Sequence, residues 1–342
     1  MTFEEKIEQC FQNFNNIDKP DYTESEINYY SDFVELIALF SKNTEITFSD
    51  IQDRFFGEKE YPKENAEIYK ENAIFEDDED IFSTFSEDAG MKKDKDLPLI
   101  EAIFNIIKDR SFLYSENYPF VYSREDNSII LKQNLSHKNK LYISLLISSK
   151  LNIFNAFKTN LTTDFETLSY NVLSNFLPKT ANIREFGKNT QYQGNVISKI
   201  KQLAKDLDLQ TDDYELNQIS ERNTQERGLD IIGWLPFADK CGNKVIFLCQ
   251  CACGKEYESK QHDTRRFENY LKFYKTKPQH TIFIPYSLIN VQEKKFYHSD
   301  LIEQDYLVFE RKRIIEYHND ASFENSESFK IVNKCLEQQF VR

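Results

Sequence analysis

Apolar residues recur at helical spacing through 24–42, "ESEINYYSDFVELIALFSK", with Thr23 placed as N-cap and Glu26 three residues on. A shorter helix is expected over "TFSDIQDRFFG", ending near Gly57. The run "FEDDEDIFSTFSEDAGMKKDKD" is dense in charge and reads as an exposed connection. "LPLIEAIFNIIKDRSF" is an amphipathic helix beginning after Pro98. In "YPFVYSREDNSIILKQ" two β-prone runs flank the turn "REDN", which predicts a hairpin. "KLYISLLISSKLNIF" is an apolar helix or strand. Helices followed by a hairpin could form a winged-helix-like module, but a generic α+β domain that contacts a protein partner is the preferred reading.

The second half has a different rhythm. A helix is predicted over 162–178, "TTDFETLSYNVLSNFLP", capped by Thr163 or Asp164. "NIREFG" is a short strand and "NVISKIKQLAKDLDL" an amphipathic helix. "GLDIIGWLPF" and "NKVIFLCQCA" are strands, and "KEYESKQHDTRRFENYLKFYKTK" is one long polar helix. "HTIFIPYSL" is a buried strand. "DYLVFERKRIIEYH" is a strand running into a basic helical turn, and "SFENSESFKIVNKCLEQQFV" is a closing helix. This order predicts an α/β architecture, α+β over the whole chain. A mixed central sheet flanked by helices fills 156–342, preceded over 1–155 by a mainly helical domain with a β-hairpin.

Charge sharpens that division. The chain of 342 residues carries −14 overall. Residues 1–100 hold 26 Asp and Glu against 10 Lys and Arg, whereas 101–342 hold 31 against 33. A negative total therefore does not exclude a local phosphate-binding surface in the second half. The acidic first domain suits sensing or docking of a protein better than contact with DNA. No apolar run approaches the ~18 residues of a membrane span, and the N-terminus has no signal-peptide core, so a cytoplasmic protein with free thiols is expected.

The chemistry gathers in two neighbouring strands. Asp230 stands inside the apolar run "RGLDIIGW", where a carboxylate is costly unless something binds it; capping a turn or pairing with Arg227 is its bland alternative. Gly228 beside it permits close backbone approach. Gln250 interrupts the next apolar run, "IFLCQCA", and two antiparallel strands would set Gln250 beside Asp230. A carboxylate, an amide oxygen and a backbone carbonyl suit Mg²⁺. Cys249, Cys251 and Cys253 alternate with polar and small residues. Neighbours in such a strand lie ~6.6–6.8 Å apart, too wide for three thiolates on one ion. They read as buried small hydrophobes, with a zinc site completed by Cys241 and His262 as the lesser alternative.

"FE-x-L" on a helix, "G-x-D" on a strand and a Gln ending the next strand resemble the PD-(D/E)XK nuclease superfamily, and most of all its Mrr-like restriction endonuclease branch. The resemblance covers roughly 160–290. It implies that Glu166, Asp230 and Gln250 hold Mg²⁺, with Mn²⁺ as a substitute, and that a lysine two residues after Gln250 assists catalysis. Ala252 stands there instead. Lys255, at the start of the following helix, is the candidate replacement. The resemblance further implies a nuclease acting on DNA, double-stranded in first place, within a bacterial antiviral defence system and beside a protein partner from the same operon; a homo-oligomer is compatible with it.

Lys260, Arg265, Arg266 and Lys272 lie among aromatic residues close to this motif and are the expected nucleic-acid contacts; a merely solvated charged face is the alternative. "ERKR", with Arg311, Lys312 and Arg313, is a second basic stretch. The missing lysine at 252 supports a different class of function: a catalytically silent nuclease-fold subunit that binds DNA or a partner protein.

Overall fold

The computed structural model describes residues 1–57, 79–187, 190–220, 228–319 and 321–337, with the backbone alone for 79–96. Contacts divide these into two compact units, Phe14–Gln133 and a larger one made of Met1–Asn13 with Asn134–Glu337. The expected boundary at 155 falls inside the larger unit. The first helix, α1 (Phe3–Asn15), belongs mostly to that unit.

The smaller unit runs α2 (Ile27–Phe40), β1 (Glu45–Thr47), α3 (Phe48–Phe56), α4 (Glu79–Tyr114), β2 (Phe120–Ser123) and β3 (Ser128–Leu131). The strands are antiparallel in the order β1-β3-β2, so the expected hairpin of β2 and β3 is extended by β1. Capping boxes fix two entries: Thr23 with Glu26 before α2, and Thr47 with Asp50 at α3. Every residue of α2 from Asn28 to Phe40 is buried, so this helix is the core around which the others pack. Two expectations change here. The helix of α4 begins at Glu79 and passes through Pro98, instead of beginning there. Ile81, Phe82 and Phe85 keep helical spacing within what reads by charge as a connection. The start of that run, 75–78, lies outside the described residues.

In the larger unit the apolar run after the hairpin is a helix, α5 (His137–Ser148), opened by a capping box between Ser136 and Asn139. It packs against α6 (Lys158–Phe176), α11 (Arg311–Tyr317) and α12 (Glu327–Glu337), which is why the boundary lies before it. Between α6 and α11 come β4 (Asn182–Glu185), α7 (Val196–Asp206), β5 (Gln210–Thr211), α8 (Asp213–Asn217), β6 (Ile231–Trp234), β7 (Ile246–Cys251), α9 (Tyr257–Arg265), α10 (Phe267–Tyr270), β8 (Leu271–Lys272), β9 (Gln279–Phe283), the ribbon β10 (Ile289–Asn290) and β11 (Lys295–Phe296), and β12 (Leu307–Phe309).

Five of these strands form the central sheet in the order β12-β9-β7-β6-β4. β4, β6 and β7 are antiparallel neighbours, and β9 joins β7 in parallel after the α9 crossover. The mixed sheet flanked by helices is thus present. The long polar helix is not: the chain breaks at Arg266, because Phe267, Tyr270 and Leu271 turn into an apolar cluster with Trp234, Leu248 and Leu203. β8 then pairs with β5.

Candidate metal centre

α6 buries Leu161, Phe165, Leu168, Ser169, Val172 and Leu173, one helical face, against β4, β6 and β7. Glu166 flanks that face. On the sheet, Asp230 sits where β6 begins, and its backbone joins three strands. Its N–H donates to the Cys249 carbonyl at 3.0 Å, and its carbonyl accepts from the N–H groups of Phe186 (2.7 Å) and Gly187 (3.3 Å). Its Oδ2 accepts the Cys251 N–H at 2.7 Å, holding the carboxylate in place beyond the end of the ladder.

The other oxygen, Oδ1, lies toward Gly187, as does Glu166. A Cβ built on Gly187 would lie 3.5 Å from Glu166 Oε2 and 3.6 Å from Asp230 Oδ1, so the two carboxylates, one from a helix and one from a strand, open onto the same spot. Sequence places these acids 64 positions apart; the docking of α6 brings them together.

Asp230 and Gln250 are the next residues beyond the last ladder pair, Ile231 and Cys249. Gln250 is 4% exposed. Its Nε2 donates to Asp263 Oδ2 on α9 at 3.4 Å, while its Oε1 is buried without a hydrogen-bond partner. Leaving such an oxygen unpaired costs about 1–3 kcal/mol. Asp263 is in turn held by Arg266 Nη2, 3.1 Å from its Oδ1. Gly228 makes this proximity possible: its φ is +79°, and a Cβ there would stand 2.2 Å from Asp263 Cβ. The close approach expected at Gly228 is therefore to α9. Arg227 lies outside the described residues.

The three cysteines surround the acids as neutral groups. Burial pushes the Cys249, Cys251 and Cys253 thiols well up, and the Asp230 charge pushes in the same direction on all three. Ser169 acts in the opposite sense on Cys251, as Lys260 does on Cys253. Cys241 is exposed, away from the buried thiols. Among the described residues no three or more His, Cys, Asp or Glu side chains gather as metal ligands, so the zinc alternative has no ligand set here. Of the three expected donors, only the carboxylates of Glu166 and Asp230 approach a common point, at Gly187, while Gln250 meets Asp263.

Lys255 is exposed in the turn between β7 and α9, while Ala252 is buried with its N–H donated to Phe283. Of the other cations, Lys260 is exposed on α9. Three hold acids of their own unit: Arg266 with Asp263, Lys272 with Asp212 at 3.5 Å, and Arg265 within 3.9 Å of Glu303. Arg265 also donates to the Gln304 carbonyl and lies over the Tyr306 ring. In the "ERKR" turn Arg311 is fully buried against Tyr142 and the Pro285 carbonyl, which removes it from the surface, whereas Arg313 is half-buried and donates to the Val308 carbonyl.

Set against protein-family models, curated proteins and solved structures, the chain matches none.

Asp263 escapes a reading of the sequence because "HDTRR" looks like one turn of a solvated helix. The available signal is its spacing, three residues before Arg266, on the helix that follows a strand with a polar interruption.

Proposed function

We propose that the larger unit hydrolyses phosphodiester bonds of nucleic acid, DNA in first place, with Mg²⁺ held by Glu166, Asp230 and Gln250. The convergence of Glu166 Oε2 and Asp230 Oδ1 on Gly187 carries this reading. Gln250, the third donor implied by the resemblance, keeps an Oε1 that is buried without a hydrogen-bond partner. When bound, the cation supplies an activated water and offsets phosphate charge. Asp230 is kept in position by the Cys251 N–H, and Lys255, on its exposed turn, supplies the ammonium that orients water and phosphate. The neutral thiols keep additional negative charge away from the substrate. A cytoplasmic defence role against foreign DNA, with 14–133 as the part that docks a partner protein, extends the same resemblance. Its support is the acidity of that segment, 28 acids against 13 bases.

The second reading is a nuclease-fold subunit that binds without cleaving. Burial of Ala252 favours it, because the position two residues after Gln250 offers no ammonium.

Asp230→Asn separates the two readings and retains an acceptor for the Cys251 N–H. Plasmid, linear DNA and RNA are incubated with Mg²⁺ or Mn²⁺. Cleavage by the parent protein that falls at least ~100-fold in the variant supports the nuclease. Cleavage at an unchanged rate sinks it, and DNA binding without cleavage in either protein supports the silent subunit.

A further inference from the structure

Two glycines of the larger unit have an evident structural reason. Gly228 has a φ of +79°, and a Cβ on Gly242 would stand 2.7 Å from Leu209 Cδ2 and 2.8 Å from the Asp208 carbonyl oxygen. Gly187 has neither. Among the described residues the glycines with positive φ are Gly194 and Gly228, so the backbone at 187 is one that alanine adopts. The three atoms nearest to a Cβ there lie at 3.5, 3.6 and 3.9 Å, which is ordinary contact. They are Glu166 Oε2, Asp230 Oδ1 and Asp230 Cα. A methyl group at 187 would therefore strain nothing, yet it would rest against both carboxylates. It could not swing aside, because the N–H groups of Phe186 and Gly187 both donate to the Asp230 carbonyl.

Mg²⁺ holds its ligands octahedrally at about 2.1 Å and keeps several waters. Two ligands at right angles are then about 3.0 Å apart. A carbon 3.5 and 3.6 Å from the two carboxylate oxygens stands close to where a water bound beside both of them would lie. We infer that Gly187 is a specificity-determining residue of the metal centre: having no side chain, it leaves room for a water ligand of the cation, or for the phosphate oxygen that replaces that water. The inference rests on the metal reading proposed above, and within it on Glu166 and Asp230 alone.

Mn²⁺ is the probe, and the full chain is used throughout. Calorimetry gives its affinity, water-proton relaxation counts the waters it keeps, and thermal melts verify folding. Gly187→Ala should melt no lower than the parent. Its Mn²⁺ affinity should fall about 10-fold, as for other groups beside a metal's ligands, and the bound ion should keep one water fewer. Gly242→Ala should do the reverse, lowering the melt while affinity and bound water hold. Gly254→Ala, whose Cβ would meet nothing within 4 Å, should change neither. An unchanged count of bound waters in Gly187→Ala, with or without a loss of affinity, overturns the role. So does a Gly187→Ala chain that fails to fold, since the fold itself would then require glycine. Failure of the metal reading takes this inference with it and looks different: the parent chain binds no Mn²⁺, or Asp230→Asn binds it as tightly as the parent.

Discussion

Arg110 in the smaller unit and Gln250 in the larger are both polar side chains enclosed by apolar cores, and the molecule treats them in opposite ways. Arg110 Nη1 lies 2.8 Å from Asp32 and 2.9 Å from Glu35, its Nη2 donates to the Asn28 carbonyl, and Glu35 also accepts from Tyr118. Those groups close on one another and leave nothing for a ligand to take. Gln250 is fixed at one end and left open at the other. Buried polarity that is closed holds a fold together, whereas buried polarity with an open end marks a place where something binds.

The largest effect is expected from Arg110→Met. It strands Asp32 and Glu35 in the core and should cost about 3–5 kcal/mol. Denaturant unfolding measures the loss, and Mn²⁺ affinity of the folded protein should not move. A change below 1 kcal/mol, or a parallel loss of Mn²⁺, would remove the contrast between the two clusters. Gly228→Ala comes next, at about 1–3 kcal/mol, because a methyl group must displace Asp263 and the backbone conformation there disfavours it. Thermal melts should fall and Mn²⁺ affinity with them; unchanged affinity at lowered stability would detach Gly228 from the site. The smallest change in stability belongs to Gln250→Leu. Replacing a half-satisfied amide by an apolar group of similar size should be neutral or stabilise by up to ~1 kcal/mol, while Mn²⁺ binding is lost. A strong destabilisation instead would class Gln250 with Arg110.

Much of the frame is legible from alternation and caps. Thr23 with Glu26, the hairpin around "REDN", and the strands carrying Asp230 and Gln250 all follow from local pattern. The misses share a cause. The break at Arg266 is imposed by Phe267 and Tyr270 reaching an apolar cluster built from distant segments, which no local polarity announces. Arg311 reads as a surface cation because its partners, Tyr142 and Pro285, are remote in sequence. For the candidate site, polar residues inside apolar runs single out Asp230 and Gln250, while Glu166 is named only by the family resemblance. The orientation of the amide does not follow from them, since it depends on Asp263 and on the space left by Gly228.

The path of the backbone between the units has a consequence for how this chain is taken apart. Met1–Asn13 belongs with Asn134–Glu337: Ile7 and Cys10 are buried, the Phe3 and Phe157 rings meet at a tilt with centroids 5.2 Å apart, and Asn13 donates to the Ile153 carbonyl. Truncation at residue 133 would therefore strip the sheet-bearing unit of its own opening segment. The sheet-bearing unit consists of two chain segments, Met1–Asn13 and Asn134–Glu337, and needs both.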